Sequence, residues 1–418
     1  PPRSTLFPYT TLFRSIPPSP LNPSTVPDPN PTSLGVLPPH KIRPHPPQPP
    51  IRNPSMTTLQ AAGEHDLQSR RLSAAERAGR RLVHALLARI RLGEVRLVDG
   101  AGSFVGGSGS DGPSVSVRVT DPAFYGRVLR EGAAGAAESY IDGHWTSSDL
   151  ASLFELLLIN REVLAAAETP IAHAFARFAG ALNAFRRNSR AGSTRNIRAH
   201  YDLSNEFFAL WLDPTMLYSC AIFERADMSL EEAQIAKVDR CCQKLDLKPS
   251  DRLLEIGTGW GAAAIRAAER FGCRVVTTTI SERQFEFASA RVRERGLQDR
   301  VTVVKTDYRD LERDFGPGSF DKVLSIEMIE AVGHEYLPRY FNAVSRMLKP
   351  NGLAVVQGIW IRDQRYDAAR RTVDFLKRRI FPGSCLLGLT AVARAVKCHT
   401  DLAIIHMNDL APHYVRTL

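Results

Sequence analysis

The residues whose types and spacing point to chemistry lie between Arg252 and Arg266, RLLEIGTGWGAAAIR. Leu253 to Ile256 reads as a buried strand, and a helix opens near Trp260. Gly257, Gly259 and Gly261 between them let the backbone take positive φ and pass close to a ligand. The helix that follows offers free N–H groups and a positive dipole end to an anion. Glu255 stands two residues before the first glycine. Dinucleotide folds use G-x-G-x-x-G, whereas the spacing here is G-x-G-x-G. The next strand also ends, at Thr279, without the acidic residue that such folds place on a ribose, which counts against NAD. A plain turn between a strand and a helix remains the alternative. The six cysteines form no C-x-x-C pair, so neither a metal site nor a disulfide framework is expected, and a reduced setting fits.

Regular alternation of strand and helix surrounds this turn and predicts a doubly wound α/β domain. Strands are expected at Leu253–Ile256, Arg274–Thr279, Val301–Thr306, Lys322–Ile326 and Leu353–Gly358. Helices are expected at Trp260–Arg270, Glu282–Arg295 and Leu337–Leu348, the last ending before the stop signal Lys349-Pro-Asn-Gly352. A helix over Asp367–Arg379 and a strand near Leu402–Met407 follow. This topology usually closes with one more helix and an antiparallel strand. The chain is read as stopping at Leu418 with neither, a C-terminal truncation.

Three segments precede that domain. Residues 1–55 hold 18 of the 28 prolines and read as a disordered leader. Its stretch Leu6–Ser15 resembles the translation of a sequencing-adapter oligonucleotide, so the leader is expected to be artefactual, with Met56 as the natural start. Residues 56–170 form a small α+β domain: a helix within Gln60–Arg91, strands Val95–Val98 and Val115–Val119 around a Gly/Ser loop (Gly100–Gly112), and helices from Asp121 and over Asp149–Asn160. Residues 171–418 then open with a basic, partly apolar helix and linker, Ala172–Arg198. A polar-aromatic segment, His200–Phe208 and Leu212–Ala221, follows and reads as a lid. The net charge of +10 suits nucleic acid, anionic lipid or an acidic substrate and does not choose among them. No apolar run reaches the ~18 residues of a membrane-spanning helix.

From about Gln60 onward the chain resembles the cyclopropane-fatty-acyl-phospholipid synthase family, including its mycolic-acid-modifying relatives. The motifs that carry the resemblance are dispersed: Tyr140-Ile-Asp-Gly143, His200-Tyr-Asp-Leu-Ser-Asn205, Tyr218-Ser-Cys220, Leu254-Glu-Ile-Gly-Thr-Gly-Trp-Gly261, Thr279-Ile-Ser281 with Gln284, Asp307-Tyr-Arg-Asp310, Glu327-Met-Ile-Glu-Ala-Val-Gly333 and Ile380-Phe-Pro-Gly383. The resemblance implies a class I S-adenosylmethionine (SAM)-dependent methyltransferase domain, Rossmann-like. It implies transfer of a methylene from SAM to the cis double bond of an unsaturated phospholipid acyl chain, forming a cyclopropane. Another SAM-dependent C-methyltransferase, or a SAM- or lipid-binding protein without catalysis, are the alternatives.

The roles that the resemblance implies are these. Tyr218 and Ser219 lie over SAM, with Glu255, Gly257, Gly259 and Gly261 around its methionine end and ribose. Thr279 and Gln284 hydrogen-bond its ribose or amino acid end, and Asp307 and Tyr308 sit by the adenine. A bicarbonate ion that removes the proton is held by Cys220, Glu330, Gln357, Ile359 and Tyr414. Gln357 stands where the best-known members carry histidine, and an amide can donate but not titrate. Cys220 as a small buried apolar residue, Glu330 as a helix cap and Tyr414 as packing remain the bland readings. A basic-apolar stretch, Arg370 to Leu389, is expected to meet phospholipid. The setting implied is cytoplasmic, peripheral at the inner membrane surface, with a homodimer as a family expectation and no nucleic acid partner.

Overall fold

The computed structural model describes residues 6–15, 71–107, 109, 111–161, 163, 170, 172, 174, 192 and 204–418. Apart from single positions, the basic segment 172–198 lies outside the described residues, as do His200–Leu203 of the polar motif. Two compact units form. One comprises Pro18–Gly126 and Ser139–Leu164, the other Pro1–Pro17, Arg127–Glu138 and Ala165–Leu418. Strand β1 (Leu6–Ser15) belongs to the second unit, so this part of the expected disordered leader has a structured place.

The smaller unit is built on strands β2 (Glu94–Asp99), β3 (Gly102–Gly107), β4 (Ser114–Val119) and β5 (Trp145–Ser147), in the order β3-β2-β4-β5. Strand β3 replaces part of the expected Gly/Ser loop. Its sequence lacks alternation, and pairing with β2 rather than local preference makes it extended. The helix Ala74–Leu87 starts at a capping box of Ser73 and Glu76 and buries Val83 and Leu86. The helix expected from Asp121 is Ala123–Ile141, with a kink at Gly132.

In the larger unit, among the described residues, seven strands form one sheet in the order β11-β1-β10-β9-β6-β7-β8. Here β6 is Arg252–Ile256, β7 Arg274–Thr278, β8 Val301–Val304, β9 Phe320–Ile326, β10 Leu348–Ile361 and β11 Leu402–Asp409. Strands β6 to β10 are mutually parallel. Apolar side chains on both faces of the central strands meet helices on both sides. Leu254, Val323 and Val356 pack with Tyr340, Phe341 and Val344 of the helix Leu337–Met347. Leu253, Leu324 and Val355 pack with the helices Leu230–Lys244 and Ala262–Phe271. This is the doubly wound arrangement expected of a class I SAM-dependent methyltransferase domain.

Four local expectations differ. The stop signal Lys349–Gly352 lies within β10, where the register against β9 jumps between Leu348 and Leu353 and Asn351 takes φ 62°. The helix over Asp367–Arg379 divides into Asp363–Arg371 and a π-type turn, Leu376–Ile380, with Lys377 Nζ on the carbonyls of Ala369 and Thr372. A helix, Ala411–Thr417, does follow the last strand. The antiparallel partner comes from the other end of the chain, because β1 lies antiparallel between β10 and β11. Phe13 of β1 is buried, its ring 5.4 Å from that of Phe341.

Phe341 is fully buried between sheet and helix. Phe341→Ala is expected to lower stability by about 3–5 kcal/mol, read as a drop in the urea midpoint.

Candidate functional site

The carboxyl ends of β6, β7, β8 and β9 open onto one cleft. Its lining includes Glu255, Gly257 and Gly259 after β6, Thr279 and Gln284 after β7, Asp307 and Tyr308 after β8, and Glu327 after β9. Tyr218 and Ser219 complete it from the segment before the helix Leu230–Lys244. Nine of the ten expected cofactor residues therefore share this cleft. Gly261, the tenth, is absent from the lining. Its φ is 87°, and an added Cβ would lie 3.1 Å from Ala288 Cβ. Gly257 has φ 102°, and its missing Cβ keeps the turn clear of Met328.

Hydrogen bonds hold the polar groups of the cleft in place. Glu255 is 2% exposed, and the Thr277 hydroxyl donates to its Oε2 at 2.5 Å. Burial pushes the Glu255 carboxyl up to about 8. The Thr279 hydroxyl donates to Gln284 Oε1 at 2.8 Å, so these two residues orient each other. The Asp307 carboxylate accepts from the Arg309 guanidinium at 2.7 and 2.5 Å, and Arg309 also lines the cleft. The side wall is aromatic. Tyr218 packs against Phe208 and Trp211, and Trp260 Nε1 donates to Asn205 Oδ1 at 2.9 Å. That bond ties the described end of the polar motif to the glycine turn.

Behind Ser219 stands a fully buried cation. Lys237 Nζ donates to Ser219 Oγ at 2.5 Å. Gln234, one turn earlier, donates to the carbonyls of Leu217 and Ser219 at 3.1 and 2.8 Å. Together they fix the backbone that presents Tyr218 and Ser219 to the cleft and Cys220 to the interior. Burial pushes the Lys237 ammonium down, while Cys241, Glu327 and Cys220 favour its charge.

The five residues expected to hold an anion lie behind this wall. The Cys220 N–H donates to Glu327 Oε1 at 2.9 Å, and Gln357 Nε2 donates to the same oxygen at 2.8 Å and to the Cys220 carbonyl at 3.1 Å. The Ile359 N–H donates to Glu330 Oε1. Tyr414 packs beside Cys220 and Leu410. Burial, then the charge of Glu327, pushes the Cys220 thiol up to about 12, so it is a neutral group and no nucleophile. The same two causes push the Glu330 carboxyl up to about 8. Burial raises the Tyr414 phenol, which also feels Glu327, Cys220 and Glu330.

Sequence reading missed Glu327, Lys237 and Arg309 as individual site residues. Lys237 left a signal, since Gln234, Lys237 and Cys241 recur at helix spacing on the stripe that carries Ala233 and Val238. Glu327 left none beyond its motif, because its backbone conformation (φ 47°) and its partners are tertiary facts. The basic-apolar stretch differs from expectation. Arg378 pairs with Glu131 at 2.7 Å and Arg379 with Glu138 at 2.6 Å, Arg370 pairs with Asp367, and Lys377 is buried.

Three comparisons bear on this geometry. The family model described as mycolic acid cyclopropane synthetase matches residues 188–418. The chain is 36% identical over 335 residues to the tuberculostearic acid methyltransferase UfaA1 of Mycobacterium tuberculosis, covering 78% of this chain and 75% of that protein. It is 37% identical over 307 residues to the cyclopropane-fatty-acyl-phospholipid synthase of Escherichia coli, covering 72% and 74%. The solved structure of the mycolic acid cyclopropane synthase CmaA1 complexed with SAH and CTAB is 33% identical, covering 54% of this chain and 80% of that one with a TM-score of 0.48.

Glu255 binds its proton more tightly in the folded chain than in the unfolded one. Its contribution to stability is therefore full below about pH 4.5 and is lost as pH rises through about 8. Urea midpoints of the ligand-free protein are expected to fall across that window, and Glu255→Gln is expected to flatten the fall.

Proposed function

Because the chain belongs to the mycolic acid cyclopropane synthetase family and is a SAM-dependent methyltransferase, we propose that it transfers a methylene to the cis double bond of an unsaturated phospholipid acyl chain, forming a cyclopropane. The observation that carries this reading is the cluster behind the cleft. Two half-buried carboxyl groups, a neutral thiol and a phenol sit together there, and Glu327 joins them to the cleft. An alkene is a weak nucleophile, and its attack on an electrophilic carbon leaves positive charge on the acyl chain. A preorganised carboxylate stabilises that charge, and a site that excludes water protects it from being trapped.

The residues present fit SAM. Glu255 is a buried carboxylate at the glycine turn, suited to an ammonium group, and the turn has no Cβ at Gly257 to narrow the approach. Tyr218 and Ser219 cover the cofactor, Glu255, Gly257 and Gly259 take its methionine end and ribose, Thr279 and Gln284 hydrogen-bond the same end, and Tyr308 and Asp307 flank the adenine. When bound, SAM supplies a methyl group activated by its sulfonium. Lys237 and Gln234 hold Tyr218 and Ser219 in register with it. Cys220, Glu330, Gln357, Ile359 and Tyr414 shape the place where the proton leaves.

The acceptor is argued from the rim. Phe207, Leu210 and Trp211 are exposed beside the aromatic wall that carries Tyr218, and Leu376 is exposed near Phe381, which stacks on Tyr218. Such an apolar rim suits an acyl chain at a lipid surface. Among the described residues no helix is long and apolar enough to cross a membrane, so the contact proposed is peripheral. A second reading, a methyl branch in place of the ring, is favoured by the relative named as a tuberculostearic acid methyltransferase.

Incubation with SAM and vesicles of cis-monounsaturated phospholipid is expected to yield SAH and a cyclopropane-containing acyl chain, identified by NMR of the extracted lipid. A methyl branch in that spectrum selects the second reading, and SAH release without a changed lipid rejects both. Glu255→Gln removes the charge opposite the ammonium and is expected to weaken SAM binding, measured by calorimetry, by about 10–100-fold.

A further inference from the structure

We infer that Glu327, a carboxylate of the chain itself, accepts the proton in this reaction, in the place that the family resemblance gives to free bicarbonate. The inference rests on the proposed function.

The donors expected to hold bicarbonate are already engaged by side chains. The Cys220 N–H and Gln357 Nε2 both donate to Glu327 Oε1, and the Ile359 N–H donates to Glu330 Oε1. The second bond from Gln357 Nε2 goes to the Cys220 carbonyl, so both amide hydrogens have partners. Turning the amide over would set its oxygen against two acceptors, which fixes its orientation. A free anion placed here would face the Glu327 carboxylate with these donors taken. Glu327 thus stands where the ion was expected, held by two of its donors, the Cys220 N–H and Gln357 Nε2, and it reaches the cleft.

Its backbone supports a functional reading. Glu327 has φ 47°, in the left-handed region that favours glycine, so holding a larger residue there is strained. The Glu327 N–H donates to the Gln357 carbonyl at 2.8 Å, which holds the turn.

The groups that face Glu327 come from every neighbouring element: Tyr218, Cys220, Lys237, Glu330 and Tyr414. Burial raises the Glu327 carboxyl, while the Cys220 N–H, the Gln357 amide and the Lys237 charge favour its ionised form. Glu330 lacks that cation and feels the charge of Glu327, so of the two it is the one that keeps its proton.

In the assigned step, the π pair of the alkene forms a bond to the methyl carbon as the methyl–sulfur bond breaks, and sulfur keeps that pair. Glu327 then takes a proton from the transferred carbon, and the C–H pair closes the ring. Oε1 already accepts two hydrogen bonds, which assigns the proton to Oε2. The proton is afterwards released to solvent.

The test compares wild type, Glu327→Gly and Glu327→Gln in carbonate-free buffer with and without added bicarbonate, using SAM and unsaturated phospholipid vesicles. Wild type is expected to turn over at the same rate in both buffers. Both variants are expected to lose about 100-fold or more in kcat while SAH still binds by calorimetry. Added bicarbonate is expected to restore Glu327→Gly at least about tenfold, since glycine suits the backbone and opens the space, and to leave Glu327→Gln unrestored. Carbon-13 NMR of labelled bicarbonate is expected to show line broadening with Glu327→Gly and none with wild type, a readout independent of turnover. Wild-type activity that needs bicarbonate, broadening with wild type, or a Glu327→Gln rate within about tenfold of wild type overturns the assignment. A wild type that forms no product in either buffer removes the proposed function beneath it.

Discussion

The site depends on burying carboxylates. Glu255 is buried in the larger unit and Glu327 and Glu330 are half-buried there, and desolvation is the largest cause of each raised pKa. An isolated buried carboxylate either takes up a proton or acquires compensation. The compensation here is uneven. Lys237, fully buried, favours the charged forms of Glu255 and Glu327, whereas Glu330 faces Glu327. Glu330 is raised to about 8, while the Cys220 N–H, the Gln357 amide and Lys237 favour the ionised form of Glu327.

That arrangement dictates much of the packing around it. Lys237 reaches the site because the helix Leu230–Lys244 begins at the capping box of Ser229 and Glu232 and lays its apolar stripe on the sheet. Its ammonium then holds Ser219, which sets Tyr218 on one side of the chain and Cys220 on the other. Strand β10 carries Gln357 and Ile359, whose donors anchor Glu327 and Glu330. Strand β9 ends beside it, in register from Leu353 to Gln357, so Glu327 leaves β9 opposite Gln357. Parallel pairing of two buried strands thus converts two distant sequence motifs into one pocket.

The same logic explains where expectation and structure part. Gly261 looks like a ligand-contacting glycine by spacing, yet its need is a left-handed turn against Ala288. The arginines before Ile380 look like a phosphate site by composition, yet their partners are Glu131 and Glu138, more than 240 positions away. Strand β3 lacks the alternation that marks a strand and is extended only through β2. The sheet slot between β10 and β11 takes its antiparallel strand from the opposite end of the chain, which periodicity cannot foresee.

The amino-acid sequence by itself determined the alternation of β6 to β10 with their helices, the glycine turn, and nine of the residues that line the cleft. Those features rest on local preference and on short motifs, which act over a few residues. Only the tertiary structure decided that Glu327 takes the donors of Cys220 and Gln357, that Lys237 lies buried behind Ser219, and that Gln357 gives both amide hydrogens to neighbours. Each of these is a contact between residues 18 to 137 positions apart, and its energy comes from desolvation, which exists only once the chain has closed around the site.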